Sequence, residues 1–291
     1  MIILSIKKPL KLTFFLAILS ISASYAGATE KSLKIFPEQV IQGEPLMVTI
    51  EGVKDISSIK KVQFDGQSVG VFMYENKPTV LIGIDLGKKP GKYNLKVNLF
   101  DEDVIQESIT VGKREKIEIQ FTIPKKLGGN TTESQNKLVA TLAEENKSLA
   151  NLRTGKKAFW TEKFVYPLSQ IIVTDTYGYS RKTGEYSMAH KGADFRAKEG
   201  TPVMAMNRGI VRVVKTYRNY GKVIVIDHGL GLMSFYLHLS KMKVNEGELV
   251  KRGQTIGLSG QTGYTLSPHL HLSLRINNNS IDPVKFMELF K

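Results

Sequence analysis

The stretch Ser267-Pro268-His269-Leu270-His271-Leu272-Ser273-Leu274 places two histidines one residue apart among alternating apolar residues. In a β-strand, successive side chains point to opposite faces, so His269 and His271 share one face. Leu270 and Leu272 point the other way, which we interpret as the core side. The pattern therefore predicts a strand that presents two imidazoles side by side, suited to holding a metal and a second reacting group.

Length and composition suit a folded protein of two domains. The chain has 291 residues, of which 42% are hydrophobic, and about 100–200 residues per domain is usual. It has no cysteine, which excludes disulfides and lipid attachment to an N-terminal cysteine. Any metal site must therefore use nitrogen and oxygen ligands.

The first 28 residues are typical of a secretory signal peptide. Three lysines precede an apolar run over residues 12–21, and small residues follow, with cleavage expected after Ala26 or Ala28. An uncleaved membrane anchor is the alternative. Because the apolar run is short for a span of about 20 residues, we favour cleavage and expect no stable membrane insertion. The expected location is the periplasm, with secretion to the cell wall as the alternative.

The chain is basic, with a net charge of +14, and this charge indicates which classes of partner it could bind. An exported basic protein suits anionic polymers or membrane surfaces. A solvated, lysine-rich surface explains much of the charge on its own. Because the signal peptide indicates export, we expect no nucleic-acid partner.

Three regions follow the signal peptide. Residues 29–124 contain short alternating runs between turn signals and no histidine, which predicts an immunoglobulin-like β-sandwich acting as a binding, spacer or regulatory module. Residues 125–159 predict a linker with a helix, since Thr132-x-x-Gln135 resembles a capping box and leucines recur at helical spacing. Residues 160–291 are rich in β-type residues and glycine. The fold class is therefore mainly β.

All five histidines lie between positions 190 and 271, which indicates where chemistry occurs. His190-x-x-x-Asp194 is a weak signal alone, but a loop that runs into a strand would bring this imidazole and carboxylate to one metal. One carboxylate with two or more imidazoles matches a catalytic zinc site, which has three protein ligands and an open position for water.

A second strand carries Tyr236-Leu237-His238-Leu239. Alternation predicts that Tyr236 and His238 share one face and that the leucines share the other. Beside a metal, His238 would act as a general base or stabilise a developing oxyanion. His228 precedes Gly229 in a turn, and we interpret it as a structural residue outside the catalytic set.

These motifs belong to an ordered series. Its members are the Tyr-Gly-Tyr-Ser-Arg stretch around Gly178, His190-x-x-x-Asp194, Gly200-Thr201-Pro202-Val203, Gly209-Ile210-Val211, Tyr220-Gly221, Ile226-Asp227-His228-Gly229, Tyr236-x-His238-Leu239, Val250-Lys251-Arg252-Gly253-Gln254, Gly260-x-Thr262-Gly263, His269-Leu270-His271 and Asp282-Pro283. With this series, the region from about Trp160 to Pro283 resembles the LytM/lysostaphin-type zinc metallopeptidases, which cut peptidoglycan peptides.

The resemblance implies an antiparallel β-sheet groove with the metal on its floor. It implies that His190, Asp194 and His271 bind one Zn²⁺ per chain, and that His238 and His269 flank the zinc-activated water and the oxyanion. Many relatives have an aromatic residue and a glutamate after the histidine pair, where this chain has Leu272 and Ser273. That departure bears on substrate preference.

The implied function is that of an exported zinc endopeptidase, a monomer that hydrolyses peptide crosslinks or stem peptides of peptidoglycan in cell-wall remodelling. One alternative is a catalytically inactive wall-binding module that activates another hydrolase. Another is a latent enzyme whose groove is covered by the N-terminal domain or the linker.

Overall fold

The computed structural model describes residues 30–150 and 152–291. The predicted signal peptide, residues 1–28, lies outside the described residues. The described part is mainly β, with 45% strand and 11% helix, which confirms the predicted fold class. Neither of its two α-helices is both long and apolar enough to span a bilayer.

The N-terminal strands form two sheets around a shared core. In chain order they are β1 Ser32–Phe36, β2 Val40–Ile41, β3 Pro45–Glu51, β4 Ile59–Phe64, β5 Gln67–Ser68, β6 Val71–Tyr74, β7 Lys77–Gly83, β8 Gly91–Leu99 and β9 Val104–Gly112. The sheet orders are β1-β3-β7-β6 and β2-β9-β8-β4-β5. Leu46 and Val80 of the first sheet pack in one buried cluster with Leu95 and Val97 of the second. We call residues 32–112 the sandwich; its immunoglobulin-like character stays a prediction.

The linker contributes one strand and one long helix. β10 spans Glu118–Gln120, and α1 spans Thr132–Ser148. Thr131, with an extended backbone, caps α1 by accepting a hydrogen bond from the Ser134 N–H at 3.2 Å. The predicted capping box at Thr132 and Gln135 is therefore wrong by one residue. Thr132 is already helical, so its side chain cannot serve as the N-cap.

The C-terminal part contains the remaining strands and a short helix. They are β11 Val173–Asp175, β12 Ser180–Thr183, β13 Tyr186–Ala189, β14 Ala193–Arg196, β15 Pro202–Met204, β16 Gly209–Tyr217, β17 Gly221–Gly229, β18 Leu232–Leu239, β19 Lys241–Met242, β20 Leu249–Val250, β21 Thr255–Leu258, β22 His269–Ile276, β23 Asn279–Ile281 and α2 Pro283–Glu288. An antiparallel sheet of order β11-β14-β22-β18-β17-β16-β20, with β23 beside β22, forms the platform of this part.

The two faces of this sheet have different neighbours. Leu270, Leu272 and Leu274 are fully buried in the main core, as the alternation of β22 predicts. On the other face, Phe235 and Leu237 belong to a smaller buried cluster that includes Leu149, the C-cap residue of α1. The groove face of the sheet is therefore partly covered by the end of the linker helix.

Candidate metal centre

Two of the sequence-predicted ligands meet because their strands are neighbours. In the β14–β22 pair, Asp194 lies directly opposite His271. His190 comes from the loop that precedes β14. The Asp194 Oδ1 atom lies 2.7 Å from His271 Nδ1 and 3.2 Å from His190 Nε2. Ligand atoms of all three buried residues lie within 4.8 Å of one another.

Neighbouring groups fix which atom each ligand presents. The His190 Nδ1 atom lies 2.8 Å from the Thr176 carbonyl, so Nδ1–H donates to it and Nε2 faces the centre. Arg181 Nη2 donates at 2.5 Å to Asp194 Oδ2, which leaves Oδ1 for a metal. Arg181 also donates to Asp175. Such supporting contacts orient metal ligands.

The backbone makes room for the His271 ring at one glycine. A Cβ on Gly192 would lie 2.4 Å from His271 Nε2 and 2.6 Å from the Leu272 carbonyl oxygen. Both distances are below any ordinary contact, so a side chain here would displace the ring.

The electrostatics suit a cation. Burial alone would raise the pKa of the Asp194 carboxyl, but hydrogen bonds from His190 and His271 hold that pKa well below its ordinary value. Burial lowers the pKa of His271 to about 4. At neutral pH the centre therefore presents a carboxylate and an imidazole with a free lone pair, which are the forms that bind metals.

His238 reaches the centre through a break in strand alternation. Between β17 and β18, the register passes from Lys222↔Leu239 to Ile224↔Tyr236, so β18 carries one extra residue. His238 lies in the left-handed region, with φ of 61°. Bulges of this kind turn a side chain to a new direction and are common beside active sites.

The bulge corrects one prediction from the sequence. Tyr236 does not share a face with His238: it lies in the main core, where its hydroxyl accepts a hydrogen bond from the Met206 N–H. Leu237, opposite His271, lines the same cleft as His238. Simple alternation therefore fails at this position, because the extra residue shifts His238 to the groove face.

His238 and His269 are held in the same way. His238 Nδ1 lies 2.8 Å from the Thr262 carbonyl, and His269 Nδ1 lies 2.8 Å from the Ser267 carbonyl. In both rings Nδ1–H donates and Nε2 is left free. The two ring centres are 5.0 Å apart, and His269 Nε2 lies 3.7 Å from Asp194 Oδ1. Burial lowers the pKa of His238 well below its ordinary value.

The linker helix forms one wall of the cleft. A cavity of about 380 Å³ reaches from the ligand histidines to α1, where Val139, Leu142 and Ala143 line it. α1 hydrogen-bonds to two segments that line the cavity, β13 and the turn before β17: Asn136 accepts from the Tyr186 hydroxyl at 2.6 Å, and Asn146 accepts from the Tyr220 hydroxyl at 2.9 Å.

A buried glutamate docks this helix. The Glu145 carboxylate accepts hydrogen bonds from the backbone N–H of Asn219 at 2.9 Å and of Tyr220 at 3.2 Å. The Tyr220 carbonyl in turn accepts from the His238 N–H at 3.1 Å. The helix is thus connected to the loop that supports His238.

His228 is not among the clustered ligands, and it lies in strand β17 rather than in the turn that the sequence indicated. It is fully buried, with Nδ1 2.9 Å from the Arg208 carbonyl and Nε2 2.8 Å from Ser234 Oγ. The sequence did not identify the supporting roles of Arg181, Thr176 and Thr262. Arg181 and Thr262 both stand in motifs of the ordered series. The two threonines act through their backbone carbonyls, a role that any residue type can fill, so the sequence does not indicate it.

The donor set fits zinc. Two imidazole nitrogens and one carboxylate oxygen are typical of catalytic zinc, which keeps a fourth position open. Within the described residues, no other aspartate, glutamate or histidine belongs to this ligand group. The sandwich and the linker therefore contribute no acidic or imidazole side chain to it.

Comparisons with known proteins find similarity in the part of the chain that carries this site. Residues 188–283 match the description "Peptidase family M23". The chain is 43% identical over 96 residues to peptidoglycan DD-endopeptidase ShyA of Vibrio cholerae, covering 33% of this chain and 22% of ShyA. It is 38% identical over 125 residues to peptidoglycan DD-endopeptidase ShyB of the same organism, covering 41% of this chain and 29% of ShyB. The chain thus spans less than a third of the length of these relatives.

One solved structure is similar over most of the chain. It is described as a peptidase M23 from Pseudomonas aeruginosa, with a TM-score of 0.62 and 25% identity over 87% of this chain and 96% of that one. The similarity therefore extends beyond the matched domain to the fold of the sandwich and linker.

Proposed function

We propose that this chain, whose residues 188–283 form a Peptidase family M23 domain, is an exported zinc-dependent endopeptidase that hydrolyses peptide bonds of peptidoglycan. The observation that carries the proposal is the convergence of His190, Asp194 and His271, with ligand atoms within 4.8 Å, beside two further imidazoles. A binding module without catalysis has no need of this set.

The protein residues divide the chemical work. His190 Nε2, His271 Nδ1 and Asp194 Oδ1 would hold zinc, which supplies a Lewis acid that polarises the scissile carbonyl and acidifies water. His238 and His269 each present a free Nε2, so one accepts the proton of the attacking water and later delivers it to the leaving amine. The other, when its Nε2 carries a proton, would donate to the oxyanion that develops on the carbonyl oxygen.

The names of the relatives support the substrate class. The two Vibrio proteins are peptidoglycan DD-endopeptidases, and on that basis we propose a crosslink between D-configured residues as the scissile bond. A peptidoglycan substrate lies outside the cytoplasm, in keeping with the predicted signal peptide. Mass spectrometry of the products from purified peptidoglycan identifies the bond, and a cut within a glycine bridge would contradict this choice.

Two variants test the assignment of roles. We expect His271→Ala to lose both zinc, by elemental analysis, and hydrolysis of purified peptidoglycan. We expect His238→Ala to retain zinc and lose turnover by about 100-fold or more, as for removal of a general acid or base. Normal hydrolysis by His271→Ala would overturn the proposal.

The inactive-activator alternative makes a different prediction. It predicts that the purified wild-type protein contains no zinc. It also predicts that His238→Ala activates the other hydrolase as well as wild type does. The complete ligand set favours the enzyme.

A further inference from the structure

The cleft beside the ligand cluster continues along β22 to an arginine. His271, Ser273 and Arg275 alternate along this strand and all line the cavity of about 380 Å³. Arg275 is four residues beyond His271, roughly 13 Å between Cα atoms at about 3.3 Å per residue. A substrate that passes the metal centre in this direction would reach the Arg275 guanidinium.

Arg275 is a cation without an acidic partner. Within the described residues, no carboxylate lies within ion-pair distance of its guanidinium, whereas Arg181, at the other end of the cavity, is paired with Asp175 and Asp194. Among the described side chains that line the cavity there is no aspartate and no glutamate. A partly buried charge without a counter-ion is costly unless a ligand supplies one.

The guanidinium is also held in one orientation. It stacks 4.3 Å from the centre of the Phe235 ring, and Nη1 donates to the Leu149 carbonyl at 2.7 Å. Burial lowers the pKa of Arg275, but an arginine stays charged at neutral pH. Because the side chain is already fixed, a ligand that binds it immobilises little additional freedom.

The neighbouring serine makes no hydrogen bond to this cation. Ser273 Oγ donates to the Lys191 carbonyl at 2.6 Å, so its hydroxyl is engaged away from Arg275. The wall that α1 contributes is mostly apolar, with Val139, Leu142 and Ala143, and includes one polar residue, Asn146. An apolar wall strengthens the attraction between a guanidinium and an anion, because it lowers the local dielectric constant.

We propose that Arg275 binds a free carboxylate of the substrate, so that the enzyme prefers peptides carrying such a carboxylate within about four residues of the scissile bond. The planar guanidinium suits a carboxylate, which it can contact through two parallel hydrogen bonds. The inference rests on the proposed peptidase function and makes Arg275 a specificity-determining residue for it.

The test uses synthetic peptides of peptidoglycan stem sequence in which each free carboxylate is replaced in turn by a carboxamide. For the wild-type zinc enzyme we expect one replacement to lower kcat/KM by about 10- to 100-fold, the range for a charge-assisted hydrogen bond. In Arg275→Gln the acid and amide peptides should be hydrolysed within about 2-fold of each other. Arg275→Lys, which keeps the charge but not the planar fork, should restore part of the preference.

The control is Lys191→Gln, which removes an exposed cation from the rim of the same cavity. This variant should keep the wild-type ratio of kcat/KM between the acid and the amide peptides. An equal loss on acid and amide peptides in Arg275→Gln would show that Arg275 only supports α1 through Leu149, and would overturn the inference. A preference that persists in Arg275→Gln would overturn it as well.

A binding measurement separates this inference from the proposed function. Titration calorimetry of the same peptides reports on Arg275 even if no peptide is hydrolysed. Tighter binding of the acid peptide by wild type than by Arg275→Gln, without hydrolysis, would support the subsite and contradict the endopeptidase. Equal binding would contradict the subsite.

Discussion

At the scale of the residue, four of the five histidines are anchored through Nδ1, and the role of each depends on what its Nε2 atom faces. His190, His228, His238 and His269 each place Nδ1 at 2.8 or 2.9 Å from a backbone carbonyl. Three of these rings turn Nε2 toward the metal centre, and His228 turns it toward Ser234. The same anchoring therefore serves both a chemical and a structural role, and only the surroundings distinguish them.

His228 should give the protein a measurable pH dependence of stability. Burial lowers its pKa from 6.5 to about 4. Between these values the unfolded chain binds the proton and the folded protein does not, so stability is present above pH 6.5 and is lost as the pH falls toward 4. The loss between pH 7 and pH 5 is about 2 kcal/mol.

The measurement is denaturant unfolding of the zinc-loaded protein at pH 7 and pH 5. His228→Asn should be less stable than wild type at pH 7, and the difference should shrink by about 2 kcal/mol at pH 5. Titration of the other histidines is common to both proteins and cancels. Parallel pH profiles for the two proteins would contradict the assignment.

At the scale of the element, sequence periodicity predicted which face each side chain occupies in a regular strand. It failed where a strand contains a bulge. β22 alternates as expected, with His269 and His271 toward the site and Leu270 and Leu272 in the core. β18 does not, because its extra residue turns His238 to the groove face. A bulge depends on pairing with β17, which is a property of the sheet and has no signature in the local sequence.

The position of α1 could not be predicted either. Its leucine spacing indicated a helix that packs, but not the surface on which it packs. Docking depends on Glu145, which looks like any other glutamate of a linker helix until its carboxylate meets the Asn219 and Tyr220 amides.

We predict that Glu145→Gln raises the rate of hydrolysis of polymeric peptidoglycan several-fold and does not raise that of short peptides. α1 forms one wall of the cavity, which should restrict a polymer, whereas the cavity of about 380 Å³ remains open to a short peptide. Loss of hydrogen bonds to a charged acceptor costs about 1.5–3 kcal/mol, so α1 should undock more often.

Hydrogen exchange of residues 132–148 measures the undocking, and release of soluble fragments measures the rate. Glu144→Gln is the matched control, because Glu144 is the exposed neighbour of Glu145 on the same helix. Faster exchange with a lower rate on the polymer would contradict the prediction and would make α1 a wall that binds substrate.

At the scale of the whole molecule, the sandwich and the C-terminal part share one core. Met47, Phe72 and Leu81 of the sandwich belong to the same buried cluster as Trp160 and Phe286. The sandwich cannot move over the groove without exposing this buried cluster. A latent form of the enzyme would therefore depend on α1 covering the groove.

Polar contacts reinforce the junction. Arg114 Nε donates to the Gln42 carbonyl at 2.6 Å, and Arg114 Nη2 lies 3.8 Å from Asp282 Oδ2 at the start of α2. A Cβ on Gly43, which has φ of 83°, would lie 2.3 Å from the Tyr177 ring. The two parts thus approach each other too closely at this point to tolerate a side chain.

A shared core predicts that the two parts unfold together. The single tryptophan of the chain, Trp160, lies in this junction, with its ring 4.9 Å from those of Phe72 and Phe164. Its fluorescence reports on the junction, while far-ultraviolet circular dichroism reports on all strands. In thermal unfolding of the full chain, the two signals should give coincident transitions, as expected for one cooperative unit.

Phe72→Ala should lower both transitions together, by the equivalent of about 3–5 kcal/mol, the range for removing a buried aromatic side chain. Phe100→Ala removes the same ring from a position 65% exposed at the tip of the sandwich, and should change stability by no more than about 0.5 kcal/mol. If tryptophan fluorescence changed at a lower temperature than circular dichroism, the junction would open before the two parts unfold. The sandwich would then be free to move relative to the groove, and the case for α1 as the element that restricts access would fail.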